Sequence, residues 1–413
     1  MPMGQESAFR LLAPHWRVVL AALMGWFLDA FDQMVLIFQL VRLSHEFHVS
    51  LLAMGLVLTF QSWGRVVGNS LWGWAADRWG RKITFMAGVV WFAACTGMSG
   101  LAWSYGALLV IQTLFGLGFG GEWTASAALL MESVPARARS VASALMMSGY
   151  EIGYFAAAAA NAIVLPSFGW RAMFFIGLVP ALLAFFIRFG VPESPVWLLT
   201  RGQPKPKKSH FHVSYAAAQG WLFMAFLQFQ NAAIYAFFPA FLEEVHHFSP
   251  QQVFPFAATY SVASIIGKPL CGWIASRLGH RPTIVGYLVV TIPGAVLFTS
   301  TSNSTLTIAG GAFVMGIVAN SIFALVPDFL SRRFGSINRS FGMGVGYAVA
   351  AFGQSVASYA VPAVARGSGL AYSMEMLIIA STIVTALIAA AKPRELPGLR
   401  METDAENVLA RPT

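Results

Sequence analysis

Long apolar runs, separated by short polar stretches, recur along the whole chain. Runs of about 18 or more apolar residues are long enough to cross a bilayer as single helices. The pattern therefore predicts an all-α polytopic membrane protein. We predict twelve membrane-spanning helices and number them spans 1 to 12. They lie near residues 17–41, 51–75, 83–102, 105–131, 140–165, 171–191, 213–241, 252–275, 282–300, 304–327, 340–364 and 371–391.

The composition agrees with this interpretation, because 57% of the residues are hydrophobic and 10% are charged. A soluble domain carries about 25% charged residues. We expect most of the aromatic side chains to face lipid or the membrane interfaces. Cys95 and Cys271 fall within predicted spans and show no spacing typical of a disulfide framework or a metal site. We therefore expect no metal and no cofactor.

A polar, basic and proline-containing stretch divides the spans into two groups of six. It contains Arg201, Lys205, Lys207 and Lys208, together with Pro204 and Pro206. This composition is typical of a connection between two helical bundles. We expect an N-terminal six-helix bundle at 1–191, a cytoplasmic linker at 192–212, a C-terminal six-helix bundle at 213–391 and a cytoplasmic tail at 392–413.

Lysine and arginine concentrate in the loops between spans 2–3, 4–5, 6–7, 8–9 and 10–11, whereas the opposite loops carry Arg42, Arg171 and Arg366. Basic loops stay in the cytoplasm during membrane insertion. The asymmetry predicts a multi-pass protein of a cell membrane, such as the bacterial inner membrane, with both termini cytoplasmic. It also accounts for most of the net charge of +9, so we expect membrane lipid and not nucleic acid as a partner, and a monomer.

A short motif closes span 2 and returns at the end of span 8. The first copy, Gly73–Lys82, reads GWAADRWGRK, and the second, Gly272–Arg281, reads GWIASRLGHR. Their offset of 199 residues (272 − 73) indicates two parallel repeats, because both copies fall on the same predicted side of the membrane. Glycines permit close helix approach and a tight turn, while the charged residues anchor the turn at the membrane surface. The predicted gating residues are Gly73, Asp77, Arg78, Gly80, Arg81 and Lys82.

The first copy resembles the loop 2–3 signature of the major facilitator superfamily, GxxxDRxGRK, and the resemblance covers the whole chain. Gly116–Trp123 in span 4 is similar to the family's RxxxGxGxGG stretch, although Gln112 stands where the family usually has arginine. The GWFLDAFD of span 1 and the GGEW of span 4 most resemble the sialate and monocarboxylate proton symporters; aromatic-acid proton symporters are the nearest rival. The resemblance implies twelve helices in two parallel six-helix repeats, which transport by alternating access.

Acidic residues inside the predicted spans are candidates for a coupled proton. Asp29 and Asp32 lie near the middle of span 1, where a carboxylate costs about 2.5–3.5 kcal/mol on insertion. They are three residues apart and share one helix face, which we expect to line a central cavity. No histidine falls at mid-membrane, so a carboxylate must carry the proton. The predicted proton-coupling residues are Asp29, Asp32, Glu122 and Glu151, with Arg65 as counter-charge; a static network of Arg65 with these acids is the alternative.

The repeat relates these acids to neutral residues of the C-terminal half. At the offset of 199 residues, Asp29 maps to Gln228 and Asp32 maps to Asn231. We therefore expect the N-terminal half to handle the proton and the C-terminal half to bind an anionic substrate. Its carboxylate would reach Lys268 or Arg65, with extension of Lys268 to the membrane interface as the alternative. The predicted substrate-binding residues are Arg65, Gln228, Asn231, Tyr235, Lys268, Asn320 and Gln354.

These features predict a secondary active transporter that couples protons to symport of a small organic acid, of the monocarboxylate or sialic acid class. The expected partners are a small organic anion and a proton. The alternatives among transporters are an aromatic-acid proton symporter, a sugar or polyol symporter and a drug/proton antiporter. A non-transporting nutrient sensor is the alternative from a different class. The sequence shows no phosphate loop, metal set or nucleophile constellation, so we do not expect an enzyme.

Overall fold

The structure is a computed structural model, and it describes residues 12–134, 139–189, 215–331, 333 and 339–391. These residues are helical almost throughout, and no strand occurs among them. The predicted linker at 192–212 and the predicted tail at 392–413 lie outside the described residues. Nine stretches of the described helices are long and apolar enough to cross a membrane by themselves. The all-α polytopic fold class is therefore confirmed.

All twelve predicted spans lie on helices. In the N-terminal half the helices are Trp16–Phe38 and Leu40–Glu46 for span 1, Leu51–Trp79 for span 2, Arg81–Gly100 for span 3, Tyr105–Ser133 for span 4, and Arg139–Phe189 for spans 5 and 6, which separate at Gly169. In the C-terminal half they are Tyr215–Tyr235 and Phe238–Glu244 for span 7, Pro250–Leu278 for span 8, His280–Phe298 for span 9, Thr305–Val318, the 3-10 turn Asn320–Leu325 and Val326–Ser331 for span 10, Arg339–Ser368 for span 11, and Leu370–Ala390 for span 12.

The two halves repeat each other in backbone detail. Spans 1 and 7 are both interrupted near their ends and continue as seven-residue helices. The loops that follow place His48 and His247 at positive φ, 53° and 56°, and these residues are 199 positions apart. Gly80 and Gly279, at φ 103° and 90°, make the turns after spans 2 and 8 in a conformation that favours glycine. The sequence repeat is therefore a repeat of structure.

Among the described residues, contacts between the halves concentrate at the end of the bundle formed by loops 1–2 and 7–8, which the charge asymmetry predicts to be outside. Spans 5 and 8 meet there through Tyr154 and Tyr260, whose ring centroids are 5.8 Å apart. Spans 2 and 11 meet where the Thr59 hydroxyl donates to the Ser355 carbonyl at 3.1 Å. At Gly55 an added Cβ would overlap the backbone of span 11. The predicted outer end is therefore closed.

Candidate functional site

A small cavity lies between the halves, on the other side of the contacts that close the predicted outer end. Its volume is about 90 Å³, whereas pockets that hold small ligands usually measure about 300–1,000 Å³. The cavity must therefore widen to accept a ligand of that class. Seven of the residues singled out in the sequence line it: Arg65, Glu151, Gln228, Asn231, Lys268, Asn320 and Gln354.

An ion pair joins the two halves in the cavity wall. Lys268 Nζ of span 8 donates to Glu151 Oε1 of span 5 at 2.7 Å, and the side chains are 12% and 2% exposed. Asn320 Nδ2 donates to the same carboxylate oxygen at 2.7 Å and also lies 3.1 Å from the Ser264 hydroxyl oxygen. Burying two charges is costly unless they are paired and hydrogen-bonded, and both conditions hold here.

Local sequence explains why these side chains meet. An added Cβ at Gly149 or Gly153 would overlap the backbone of span 1, so these glycines let spans 5 and 1 pack closely. Glu151 lies midway between them in sequence and therefore points away from span 1, toward span 8. Asn320 begins the 3-10 turn that interrupts span 10, and this interruption brings its amide to Glu151.

A second polar chain crosses between the halves beside the ion pair. The Tyr150 hydroxyl donates to Gln33 Oε1 at 3.0 Å, and Gln33 Nε2 donates to the Tyr235 hydroxyl oxygen at 3.3 Å. Nearby, Gln228 Nε2 donates to Gln354 Oε1 at 3.3 Å. Tyr150 and Gln33 were not among the predicted site residues, although each directly adjoins one of the predicted acids in the sequence.

Arg65 lies at the cavity, but its surroundings differ from those expected. Its guanidinium carbon lies 4.6 Å from the centre of the Phe119 ring, a cation–π arrangement. It also lines a small second space together with Gln33, Gln61 and Gln354. The Phe119 ring carries no net charge, so this contact does not neutralise Arg65. The guanidinium is therefore positioned to attract an anion in the cavity.

Asp29 and Asp32 are buried, at 2% and 3% exposure, but they lie elsewhere. An added Cβ at Gly177 of span 6 would overlap both Asp32 Oδ1 and the Thr96 methyl group of span 3. Asp32 therefore faces spans 3 and 6, inside the N-terminal half, and neither acid lines the cavity between the halves. This corrects the expectation that the pair lines a central cavity. Its role in proton coupling stays a prediction.

Gln112, which stands where the family usually has arginine, is buried in a network inside the N-terminal half. Gln61 Nε2 donates to Gln112 Oε1 at 2.9 Å. Gln112 Nε2 donates in turn to the Ser99 hydroxyl oxygen at 3.0 Å. The amide therefore links spans 2, 4 and 3, and it supplies packing and hydrogen bonds at this position without a charge.

The gating motif is partly described. Arg78 lies over the Trp74 ring at 5.6 Å, and Arg277 lies over Trp273 at 4.2 Å in the second copy, so the repeat extends to these stacked pairs. Gly80 makes its turn at positive φ, and Lys82 lies in the first turn of span 3. The surroundings of the remaining predicted residues lie outside what the structure describes: Gly73, Asp77, Arg81 and, in span 4, Glu122.

Curated relatives cover most of the chain. A protein described as a probable 4-methylmuconolactone transporter, from Cupriavidus pinatubonensis, is 31% identical over 347 residues, which are 79% of this chain and 78% of that protein. The cis,cis-muconate transport protein of Acinetobacter baylyi is 26% identical over 87% of this chain and 90% of its own length. The sialic acid transporter NanX of Escherichia coli is 26% identical over 91% of this chain and 93% of its own length.

The fold has counterparts among solved structures. The inward-open conformation of the xylose transporter XylE from E. coli matches with a TM-score of 0.76, over 93% of this chain and 97% of that chain, at 17% identity. At this identity the match shows the fold alone. The model of the Major Facilitator Superfamily matches residues 22–358 and 220–410. The chain therefore belongs to the Major Facilitator Superfamily, and it is a multi-pass membrane transporter rather than an enzyme.

Proposed function

We propose that the chain is a proton-coupled symporter of small organic acids. The observation that carries this proposal is the buried pair of Glu151 and Lys268 in the cavity wall. A pair that joins the two halves and faces the cavity responds both to a proton and to an anionic ligand. Relatives described as carriers of muconate and of sialic acid support an organic acid as the ligand, because both compounds are carboxylates.

The charges of the described lining favour an anion. Arg65 and Lys268 contribute two positive charges and Glu151 contributes one negative charge, so the lining carries a net charge of plus one. Charges act more strongly in a cavity of low dielectric constant than in water. A small monoanion is therefore attracted to this cavity, whereas a cation is repelled from it.

Glu151 is the group of this lining that exchanges the proton. When its carboxylate is protonated, it no longer compensates the charge of Lys268, and the ammonium becomes available to the carboxylate of the substrate. Lysine suits this role because its ammonium is a compact charge on a flexible stem. When Glu151 loses the proton, the ion pair re-forms and the anion is displaced. Proton and substrate therefore bind together.

This exchange keeps the cavity charge constant over the transport cycle. The empty cavity with its ion pair carries plus one, and so does the cavity with protonated Glu151 and a bound monoanion. A proton alone raises this charge to plus two, whereas a substrate alone lowers it to zero but sets its carboxylate beside the ionised carboxylate of Glu151 at Lys268. Because an uncompensated buried charge and two adjacent like charges are both costly, we expect the halves to exchange access in the empty and fully loaded states. One proton then accompanies each monoanion.

Asp29 and Asp32 are the second candidate for the proton site. They are buried and interact electrostatically with each other inside the N-terminal half. A proton bound there would act on the packing of span 1 against spans 3 and 6, rather than directly on the substrate. The two candidate proton sites therefore predict different results: transport is uncoupled from the pH gradient either by a variant of Glu151 or by variants of Asp29 and Asp32.

Uptake into proteoliposomes with an alkaline interior tests the proposed function. The probes are radiolabelled pyruvate, sialic acid and benzoate, with D-xylose as a neutral comparison. We expect at least one acid to accumulate above its equilibrium level, and a protonophore to abolish this accumulation. Accumulation of D-xylose alone, or of none of the four compounds, contradicts the proposal.

Variants then separate the two candidate proton sites. Glu151→Gln removes the exchangeable proton and leaves Lys268 available, so we expect the acid still to exchange across the membrane but no longer to accumulate with the pH gradient. Glu46→Gln is the matched control, because Glu46 pairs with Arg171 at 3.3 Å on the exposed surface. Loss of coupling in Asp29→Asn or Asp32→Asn, with normal coupling in Glu151→Gln, assigns the proton to span 1 instead.

A further inference from the structure

Four aromatic side chains line the cavity, two from each half. Trp26 and Tyr150 come from spans 1 and 5, and Phe323 and Tyr347 come from spans 10 and 11. The rings of Trp26 and Tyr150 meet edge to face, with their centroids 5.8 Å apart. The expectation that most aromatic side chains face lipid does not extend to these four rings, which give the cavity apolar, flat surfaces on both of its sides.

Three amides of the described lining, those of Gln228, Gln354 and Asn320, are hydrogen-bonded to neighbouring side chains, whereas Asn231 Oδ1 has no hydrogen-bond partner among the described residues. Gln228 is bonded to Gln354, and Asn320 to Glu151 and Ser264. A ligand with many hydroxyl groups needs a separate partner for each, and a buried polar group without a partner costs free energy. Because three of its amides are already engaged, the lining offers a polyhydroxylated ligand fewer partners than its number of polar residues suggests.

Small side chains leave room beside one of the aromatic rings. Ala350 and Ala351 line the cavity and lie three and four residues after Tyr347 in span 11. Residues at this spacing share one face of a helix. Span 11 therefore presents a ring next to two methyl groups, a surface that a thin ligand body covers without displacing a large side chain.

We propose that the substrate is a planar carboxylate, aromatic or conjugated, whose flat body lies between the aromatic side chains of the two halves while its carboxylate reaches Lys268. This inference rests on the proposed function and narrows its substrate class. Aromatic rings interact with flat π-systems through stacked and edge-to-face contacts, beyond the area that they bury. A saturated ring of similar size makes no such contacts.

Binding of a matched series of acids to the purified full chain tests this inference. Benzoate and cyclohexanecarboxylate have the same number of carbon atoms and the same charge, but only benzoate is planar; lactate and sialic acid complete the series. Affinities are measured by ligand-dependent thermal stabilisation. We expect benzoate to bind about three- to ten-fold more tightly than cyclohexanecarboxylate, the range of one aromatic contact. Equal affinities, or tighter binding of sialic acid, overturn the inference.

Variants locate the preference in the cavity. Tyr347→Leu and Trp26→Leu keep apolar volume but remove a ring, so we expect each to reduce the preference for benzoate over cyclohexanecarboxylate. Trp63→Leu is the matched control, because Trp63 is 48% exposed and packs on Phe352, and neither residue belongs to the described lining. A preference that all three variants retain also overturns the inference. If one variant fails to fold, the other variant and the ligand series on the unmodified chain still show whether the cavity prefers a planar acid.

The outcomes separate this inference from the function on which it rests. If pyruvate or sialic acid is taken up with protons but benzoate has no advantage in binding, the planar preference is wrong and the organic-acid symporter stands. If none of the acids binds and none accumulates in proteoliposomes, the proposed function itself fails.

Discussion

At the scale of single residues, the structure makes Lys268 the partner on which Glu151 depends. Removing one member of a buried ion pair costs about 3–5 kcal/mol, because the other charge stays buried without compensation. We therefore expect Lys268→Gln to lower the thermal denaturation midpoint of the purified protein more than the double variant Glu151→Gln/Lys268→Gln, which buries no charge.

An exposed pair in the same protein provides the control. Arg171 and Glu46, 3.3 Å apart, are 49% and 45% exposed, and exposed pairs contribute about 0–1 kcal/mol. Arg171→Gln should therefore change the denaturation midpoint little. Equal midpoints for Lys268→Gln and the double variant would show that Glu151 and Lys268 do not depend on each other.

The residues of the site show what a sequence pattern can and cannot establish. Spacing alone places Asp29 and Asp32 on one helix face, but each face of a span inside a bundle contacts some other helix. Hydropathy does not distinguish a face toward the cavity from a face toward spans 3 and 6. Gln33, one residue after Asp32, points into the polar chain between the halves. The pairing of Glu151 with Lys268 joins residues 117 positions apart, and no local pattern encodes it.

At the scale of helices, the sequence was more informative, because apolar length and the repeated motif specify where each span lies. The interruptions near the ends of spans 1 and 7 were not predicted. The break in span 1 contains neither proline nor glycine: Gln39 alone separates its two helices. Tertiary packing at the closed end of the bundle, rather than local propensity, decides the backbone there.

The turns after spans 2 and 8 each contain a glycine whose backbone conformation can be tested by substitution. Gly80 and Gly279 have φ of 103° and 90°, where a side chain is strained. We expect Gly80→Ala and Gly279→Ala each to destabilise the protein by about 1–3 kcal/mol, measured by thermal denaturation. Gly272→Ala is the control, because Gly272 is helical and an added Cβ there meets no neighbouring atom. It should be neutral or slightly stabilising, and a loss of stability equal to that of Gly279→Ala would contradict the role of φ.

At the scale of the whole molecule, the halves meet at one end and enclose the cavity beyond it. The Thr59 contact with Ser355 and the Tyr154 contact with Tyr260 lie toward the predicted outer end. Lys268 and Glu151 lie deeper along the same helices, and the cavity begins there. In alternating access the outer contacts must separate for a substrate to enter from that side. The close approach of span 2 to span 11 is therefore expected to open and close in each cycle.

Gly55 offers a direct test of this movement. An added Cβ there would overlap the Ser358 carbonyl oxygen and Pro362 of the other half, so Gly55→Ala should favour the state in which this end is open. Overpacking of about 1–3 kcal/mol corresponds to a change of about 5- to 150-fold in a two-state equilibrium. The measurement is the rate at which an impermeant maleimide labels Thr59→Cys after Cys95 and Cys271, both buried, are replaced by serine.

Gly116 is the matched control for this movement, because an added Cβ there would overlap the Gln61 carbonyl oxygen within the N-terminal half. Gly116→Ala should lower the denaturation midpoint and leave the labelling rate of Thr59→Cys unchanged, since spans 2 and 4 move together. Gly55→Ala should instead raise the labelling rate at least five-fold. If both variants lower stability and neither changes labelling, spans 2 and 11 do not separate during the cycle. In that case, the predicted outer end is a rigid part of the transporter.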